Sequence, residues 1–167
     1  VREDIFSKEI YVFTPKGDVI ELPKNSTPVD FAYYIHTEVG NTCAGARVNG
    51  IMVPLDHVLQ MGDVVEIITS KNQKPRRDWL RFVGTERARN KIKSFLKKEE
   101  REARREIGKE YLSAEMRRMG LPKTALEDEE TKNKLIKMGG VNSVDELYEK
   151  IGYGTLIPKK LLSAVFG

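Results

Sequence analysis

The chain has 167 residues, of which 40% are hydrophobic and 32% charged, enough for one ordinary domain or two small ones with much solvated surface. No apolar run approaches the roughly 20 residues that span a bilayer, and a single cysteine, Cys43, excludes an internal disulfide and suits a reducing compartment. One Cys and two His (His36, His57) leave too few ligands for a structural zinc site, and neither a metal nor any other cofactor is expected.

Net charge is +4, unevenly spread. Residues 1–70 carry −5, residues 71–118 carry +9, and residues 119–167 carry zero. An acidic module followed by a strongly basic one points to a polyanionic partner, with RNA the usual candidate. The absence of an initiator Met and of a signal peptide suggests a piece of a longer soluble protein.

In chain order, residues 1–8 read as a linker from a preceding domain. Residues 10–14 and 19–22, joined by a Pro-Lys-Gly-Asp turn, read as a β-hairpin. Residues 27–40 read as one helix with both ends written in. Thr27 is its N-cap, Pro28 its first residue, Asp30 the partner of a capping box, and Gly40 its left-handed C-terminal residue. Phe31, Ala32 and Ile35 form its apolar stripe, with His36 on the flank and Tyr33 nearly opposite. Residues 44–48 and 51–53 flank Asn49-Gly50, the strongest short hairpin signal. Residues 64–68 form a last strand, apolar on both faces and so expected in the middle of a sheet. The order predicts an α+β chain: a β-grasp (ubiquitin-like) domain over 9–70, then an all-α helical domain over 71–167.

Residues 71–75 read as a polar hinge and 76–83 as a helix whose Trp79 is assigned to the core. Thr85 caps a long helix running towards Arg118. Its first apolar face is Ala88, Ile92, Phe95 and Leu96, resumed by Ala103, Ile107, Tyr111 and Ala114. Residues 97–106 are nearly all charge, so that part is solvated or lies on a partner. Leu135, Ile136 and Met138 mark another helical turn. Ser143 and Glu146 form a capping box for a further helix. Pro158 starts a last one, whose Leu161, Leu162 and Phe166 are expected exposed, as a dimer patch or as contacts to missing chain.

No phosphate-cradling glycine loop and no nucleophile–base pair occurs, so the segment reads as non-catalytic. His36 has two readings. It can donate, accept and stack, as recognition of a single-stranded RNA end requires, or it is a flank histidine bonded to nearby backbone. Tyr33 is a stacking platform or a half-exposed helix residue. Arg47, in a strand, can reach a phosphate. Lys71, Lys74, Arg76 and Arg77, then Arg87, Arg89, Lys91 and Lys93, interleave with Trp79, Phe82 and Phe95, the pattern of backbone-tracking RNA contacts or of a solvated helical face.

Residues 9–18 (EIYVFTPKGD), 31–40 (FAYYIHTEVG), 48–50 (VNG) and 62–69 (GDVVEIIT) closely resemble the TGS domain. Residues 70–71, 75–80 and 85–105 resemble the segment that follows it in long RelA/SpoT-type synthetases and hydrolases of guanosine tetraphosphate and pentaphosphate. The resemblance implies a regulatory fragment of a cytoplasmic stringent-response enzyme, with the catalytic domains before Val1. It implies that TGS packs on the CCA 3′ end of deacylated tRNA on the ribosome, with His36 among the contacts and an aminoacyl group excluded. Thr37, Tyr33 and Arg47 are placed beside His36 by inference. The implied partners are deacylated tRNA, the ribosome and the catalytic domains of the same chain, with no membrane. Two other roles remain open. One is an intramolecular regulator acting through protein contacts. The other is an arm of a threonyl-tRNA synthetase, against which the long basic helix and the lack of His/Cys editing ligands argue.

Overall fold

A computed structural model describes residues 8–167, so the linker expected over 1–8 lies almost wholly outside the described residues. The chain divides into two compact units between Lys97 and Lys98.

In the first unit, β1 (Glu9–Phe13) and β2 (Val19–Pro23) form an antiparallel hairpin, Glu9 opposite Pro23. Helices α1 (Pro28–Ile35) and α2 (Thr37–Asn41) follow, then β3 (Cys43–Val48), β4 (Ile51–Val53) and β5 (Val65–Thr69). The β3–β4 turn has Asn49 at φ 53° and Gly50 at φ 82°, the paired left-handed conformations of a two-residue hairpin. Alternation places Ile10, Val12, Ile20 and Leu22 inward, against Phe31, Val48, Leu59 and Val65. This is the expected β-grasp-like α+β unit.

Some expectations about this unit are corrected. The second sheet runs β4-β3-β5, so β3 is its middle strand. On its other side the segment leading into β5 meets β1 through a parallel bridge, Phe13 to Val64, and through Phe13 N on Asp63 O and Gly62 N on Tyr11 O, 2.8 Å each, so the expected central position holds at the start of the strand. The 27–40 stretch is two helices, because His36 adopts an extended conformation (φ −169°, ψ 148°) between them. Gly40 is therefore an interior residue of α2. It is glycine because the Tyr33 ring occupies the place a Cβ would need. Ile35 lies outside the core, at 43% exposure.

A 3₁₀ turn at Arg77–Arg81, shorter than the helix expected there, inserts Trp79. Trp79, Val83, Ala88 and Ile92 pack with Val29, Ala32, Tyr33 and Cys43 in one buried cluster. Trp79 is thus a core residue, as assigned. α3 (Glu86–Arg118) begins here. Asp30, 1% exposed, accepts from Thr27 N (2.8 Å), which completes the capping box of α1. The same carboxylate accepts from Gly84 N (2.9 Å), Thr85 N (3.0 Å) and Thr85 Oγ1 (2.8 Å), and so holds the start of α3 as well.

The second unit holds the rest of α3, a 3₁₀ turn (Lys123–Glu127), α4 (Glu129–Gly139), α5 (Val144–Gly152) and α6 (Pro158–Phe166). The inner face of α3 here is Gly108, Leu112 and Met116, at four-residue intervals. The expected face Ala103, Ile107, Tyr111 and Ala114 is exposed instead. Leu161 and Leu162 are buried with Leu135, Leu147 and Ile151, which corrects their expected exposure; Phe166 stays 39% exposed. Ser143 caps α5 by accepting from Glu146 N (3.1 Å). The Glu146 carboxylate takes Asn142 N (2.9 Å), one residue before the cap, so the capping box is only half formed. No helix among the described residues is long and apolar enough to cross a membrane.

Candidate nucleic-acid interface

The break between α1 and α2 is what presents His36. Its N–H ends α1 on Ala32 O (3.2 Å), and its Nδ1 caps α2 by accepting from Glu38 N (3.0 Å). With Nδ1 so engaged, the neutral ring carries its proton on Nε2. His36 is exposed, and among the described residues Nε2 has no partner. The ring is therefore both a backbone-bonded flank histidine and a fixed outward donor.

Two residues before it in sequence, Tyr34 is 45% exposed, and the Arg87 guanidinium sits 6.0 Å from its ring centroid, within cation–π range. An exposed aromatic face backed by a cation, two residues from an outward imidazole, can stack on a base and donate to its edge. The sequence points to Tyr33 as a stacking platform or a half-exposed residue; the structure exposes Tyr34 instead. Tyr33 is 1% exposed and its hydroxyl donates to Asn41 Oδ1 (2.8 Å). Burial, with the neighbouring Cys43 thiol second, pushes its phenol up out of the ordinary tyrosine range. Tyr33 therefore cannot serve as a stacking platform. Tyr33 lies within α1, ahead of the break, and is buried because Gly40 of α2 packs on its ring; the adjacent tyrosine pair is the signal in the sequence that points to Tyr34.

The other residues divide by their partners. Thr37 opens α2 directly after His36. Arg47 lies on the outer face of β3 and pairs with Glu66 at 3.1 Å, and no contact joins it to His36 among the described residues. Arg76 pairs with Asp78 at 3.1 Å. Arg89 donates to Leu80 O (3.2 Å) and Val83 O (3.0 Å), closing the end of the 3₁₀ turn; its guanidinium is already used. Lys71, Lys74, Arg77, Lys91 and Lys93 are exposed, and all but Lys74 lack an ion pair among the described residues. Exposed cations of this kind are able to attract phosphates independently of sequence.

Cys43 is fully buried, its Sγ 3.9 Å from Gly45 O, and burial raises its thiol to about 11, so no thiolate forms near neutrality. No group of three metal-binding side chains exists among the described residues. In the second unit, a cleft of about 700 Å³ is bordered by Lys109, Arg117 and Lys123 but also by Glu106, Glu110 and Glu127. Such mixed walls do not select an anion.

Comparison with known proteins bears on both units. Residues 10–69 match the TGS domain family, and residues 95–166 match the RelA/SpoT AH domain family. The chain is 47% identical over 166 residues to a guanosine-3′,5′-bis(diphosphate) 3′-pyrophosphohydrolase of Aquifex aeolicus, covering 99% of this chain and 23% of that protein. It is 48% identical over 164 residues to the bifunctional (p)ppGpp synthase/hydrolase RelA of Mycobacterium tuberculosis, covering 97% and 22%. A GTP pyrophosphokinase of Escherichia coli is 42% identical over 160 residues, covering 93% and 21%. The chain thus spans about a fifth of the length of the curated relatives it matches.

Proposed function

We propose that this chain, which consists of a TGS domain followed by a RelA/SpoT AH domain, is the regulatory, non-catalytic segment of a cytoplasmic (p)ppGpp synthetase or hydrolase. Synthesis or hydrolysis of the alarmone belongs to parts of that protein outside the chain. Within it, the TGS unit recognises the CCA 3′ end of deacylated tRNA on the ribosome, and the basic stretch after it lies along RNA.

The observation that carries this reading is His36: exposed, with Nδ1 tied to Glu38 N and Nε2 aimed outward without a partner among the described residues. A single-stranded end offers unstacked base edges and 2′-hydroxyls, which an oriented N–H donor can read. The Tyr34 face supplies stacking, and Arg77, Arg87, Lys91 and Lys93 supply phosphate attraction. An aminoacyl ester adds bulk at the terminal ribose, so close packing of the CCA end on this unit would discriminate against charged tRNA sterically. A relay from the bound RNA to the rest of the protein is supported by one side chain. Asp30 bonds both the start of α1 and the start of α3, so a displacement of α1 is felt by the helix that leaves the domain.

The test is binding of deacylated and aminoacylated tRNA in parallel at two salt concentrations. We expect a preference for the deacylated form, lost at least about tenfold in His36→Ala through removal of a donor to the RNA. Equal, steeply salt-dependent binding of both forms that His36→Ala leaves untouched overturns the reading. In that case a full-length His36→Ala protein with altered basal activity would favour regulation through protein contacts instead.

A further inference from the structure

The chain contains one Asn-Gly pair, Asn49-Gly50, and it forms the β3–β4 turn. An asparagine followed by glycine readily loses its side-chain amide, because glycine has no side chain to shield its backbone nitrogen from the neighbouring amide carbon. Asn49 and Gly50 are both exposed, so water and base reach them. What protects the pair is hydrogen bonding.

Both ends of the Asn49 amide are held by the segment that leads into β5. Its Oδ1 accepts from Val64 N (2.9 Å), and its Nδ2 donates to Asp63 Oδ1 (3.0 Å). Asn49 N donates to Val64 O (2.8 Å). The other Asp63 carboxylate oxygen accepts from Gln60 N (2.7 Å), and Asp63 is only 8% exposed. Asp63 O accepts from Phe13 N (2.8 Å), and Phe13 bridges Val64. One side-chain amide thus ties the β3–β4 turn to the start of β5 and, through it, to β1.

We propose that Asn49 is a site of spontaneous deamidation, released for reaction only when the turn leaves Asp63 and Val64, and that the product keeps the turn from reseating. In the reaction Gly50 N gives its proton to solvent base and bonds to Asn49 Cγ. The Cγ–Nδ2 bond breaks and ammonia leaves. Water then opens the cyclic imide at either carbonyl, giving an aspartyl or an isoaspartyl residue with no change of oxidation state. While both ends of the amide are held, its χ angles are fixed and Cγ does not turn over the Gly50 nitrogen. The rate in the folded protein is therefore set by the fraction of time the turn is open.

The consequence runs one way. A carboxylate at position 49 still accepts from Val64 N but has no donor for Asp63, so two charged acceptors meet at hydrogen-bond distance, one of them buried. The isoaspartyl product also lengthens the backbone inside the turn and disturbs the pairing of β3 with β4. Val48 and Val65, opposite one another beside the turn, belong to the core of this unit, so the lesion loosens that core. This chemistry is independent of the RNA reading.

The test compares the intact chain with a free peptide of residues 46–53 in mildly alkaline buffer without denaturant, loss of the Asn49 amide being followed by mass spectrometry. Loss should be at least about tenfold slower in the folded chain and should approach the peptide rate in urea that unfolds it. Equal or faster loss in the folded chain overturns the proposal. Asn49→Asp reproduces the product directly. It should lower the urea midpoint of the first unit, read by fluorescence of Trp79, the single tryptophan, which is buried there. Adding Asp63→Asn returns a donor to the pair and keeps an acceptor for Gln60 N, and should recover at least about half of the lost midpoint. An Asn49→Asp protein as stable as the parent, or a double variant no more stable than Asn49→Asp alone, also overturns it.

Discussion

Asp30 shows how much one side chain can organise. Its two oxygens take amide and hydroxyl donors from Thr27, Gly84 and Thr85, so a single carboxylate caps two helices 55 residues apart in sequence. Bonds to a charged acceptor are worth about 1.5–3 kcal/mol each, and deleting it leaves several donors without a partner. Asp30→Ala should therefore cost roughly 3–5 kcal/mol in urea denaturation. Tyr33 and Tyr34 invite a paired test. Tyr33→Phe should cost about 1 kcal/mol of stability through the lost bond to Asn41 and leave tRNA binding unchanged. Tyr34→Ala should do the reverse. Cys43 carries a pH dependence whose sign follows from its shift. The folded thiol is raised from its ordinary 9.0 to about 11, so burial stabilises the neutral form. That stability is complete below pH 9 and is lost as pH rises from 9 through 11, by roughly 2–3 kcal/mol. Comparing the protein with Cys43→Ala across that range isolates the effect from lysine and tyrosine titration.

At the scale of elements, α3 carries two apolar stripes in the second unit, one buried and one exposed. The inner one is built on close approach: a Cβ on Gly108 would meet the Tyr148 carbonyl, and one on Gly152 the Arg104 carbonyl. Backbone cannot yield as a side chain tip can, so Gly108→Ala should push α5 away and cost at least about 1–3 kcal/mol, read by urea denaturation. The sequence reading took Ala103, Ile107, Tyr111 and Ala114 as the inward face because glycine does not register as apolar. Gly108, Leu112 and Met116 have the same periodicity, and only packing against α5 distinguishes the two. The α1–α2 break is of the same kind. Residues 28–41 are all tolerable in one helix, and the kink arises where Tyr33 packs on Gly40 and His36 caps α2.

The whole molecule divides inside α3, well past the polar stretch at residues 71–75. Trp79, Val83, Ala88 and Ile92 finish the core that Val29, Ala32, Tyr33 and Cys43 begin. A fragment ending at residue 70 leaves those four side chains open to water, whereas one ending at 97 covers them. The shorter fragment should denature at lower urea, and Trp79→Ala in the full chain should cost about 3–5 kcal/mol, with the lost core contact checked by circular dichroism.

The sequence by itself determined the hairpin at Asn49-Gly50, the Thr27–Asp30 capping box, the order of strands and helices, and the charge step from residues 1–70 to 71–118. All of these are local or compositional, written in turn chemistry, caps and period. Only the tertiary structure decided that Tyr34 rather than Tyr33 is exposed beside His36, that Arg89 is spent on Leu80 and Val83 carbonyls, that β3 is the middle strand, and which face of α3 turns inward. Each of these depends on what a residue packs against across a long stretch of chain, and neither periodicity nor residue type carries that information.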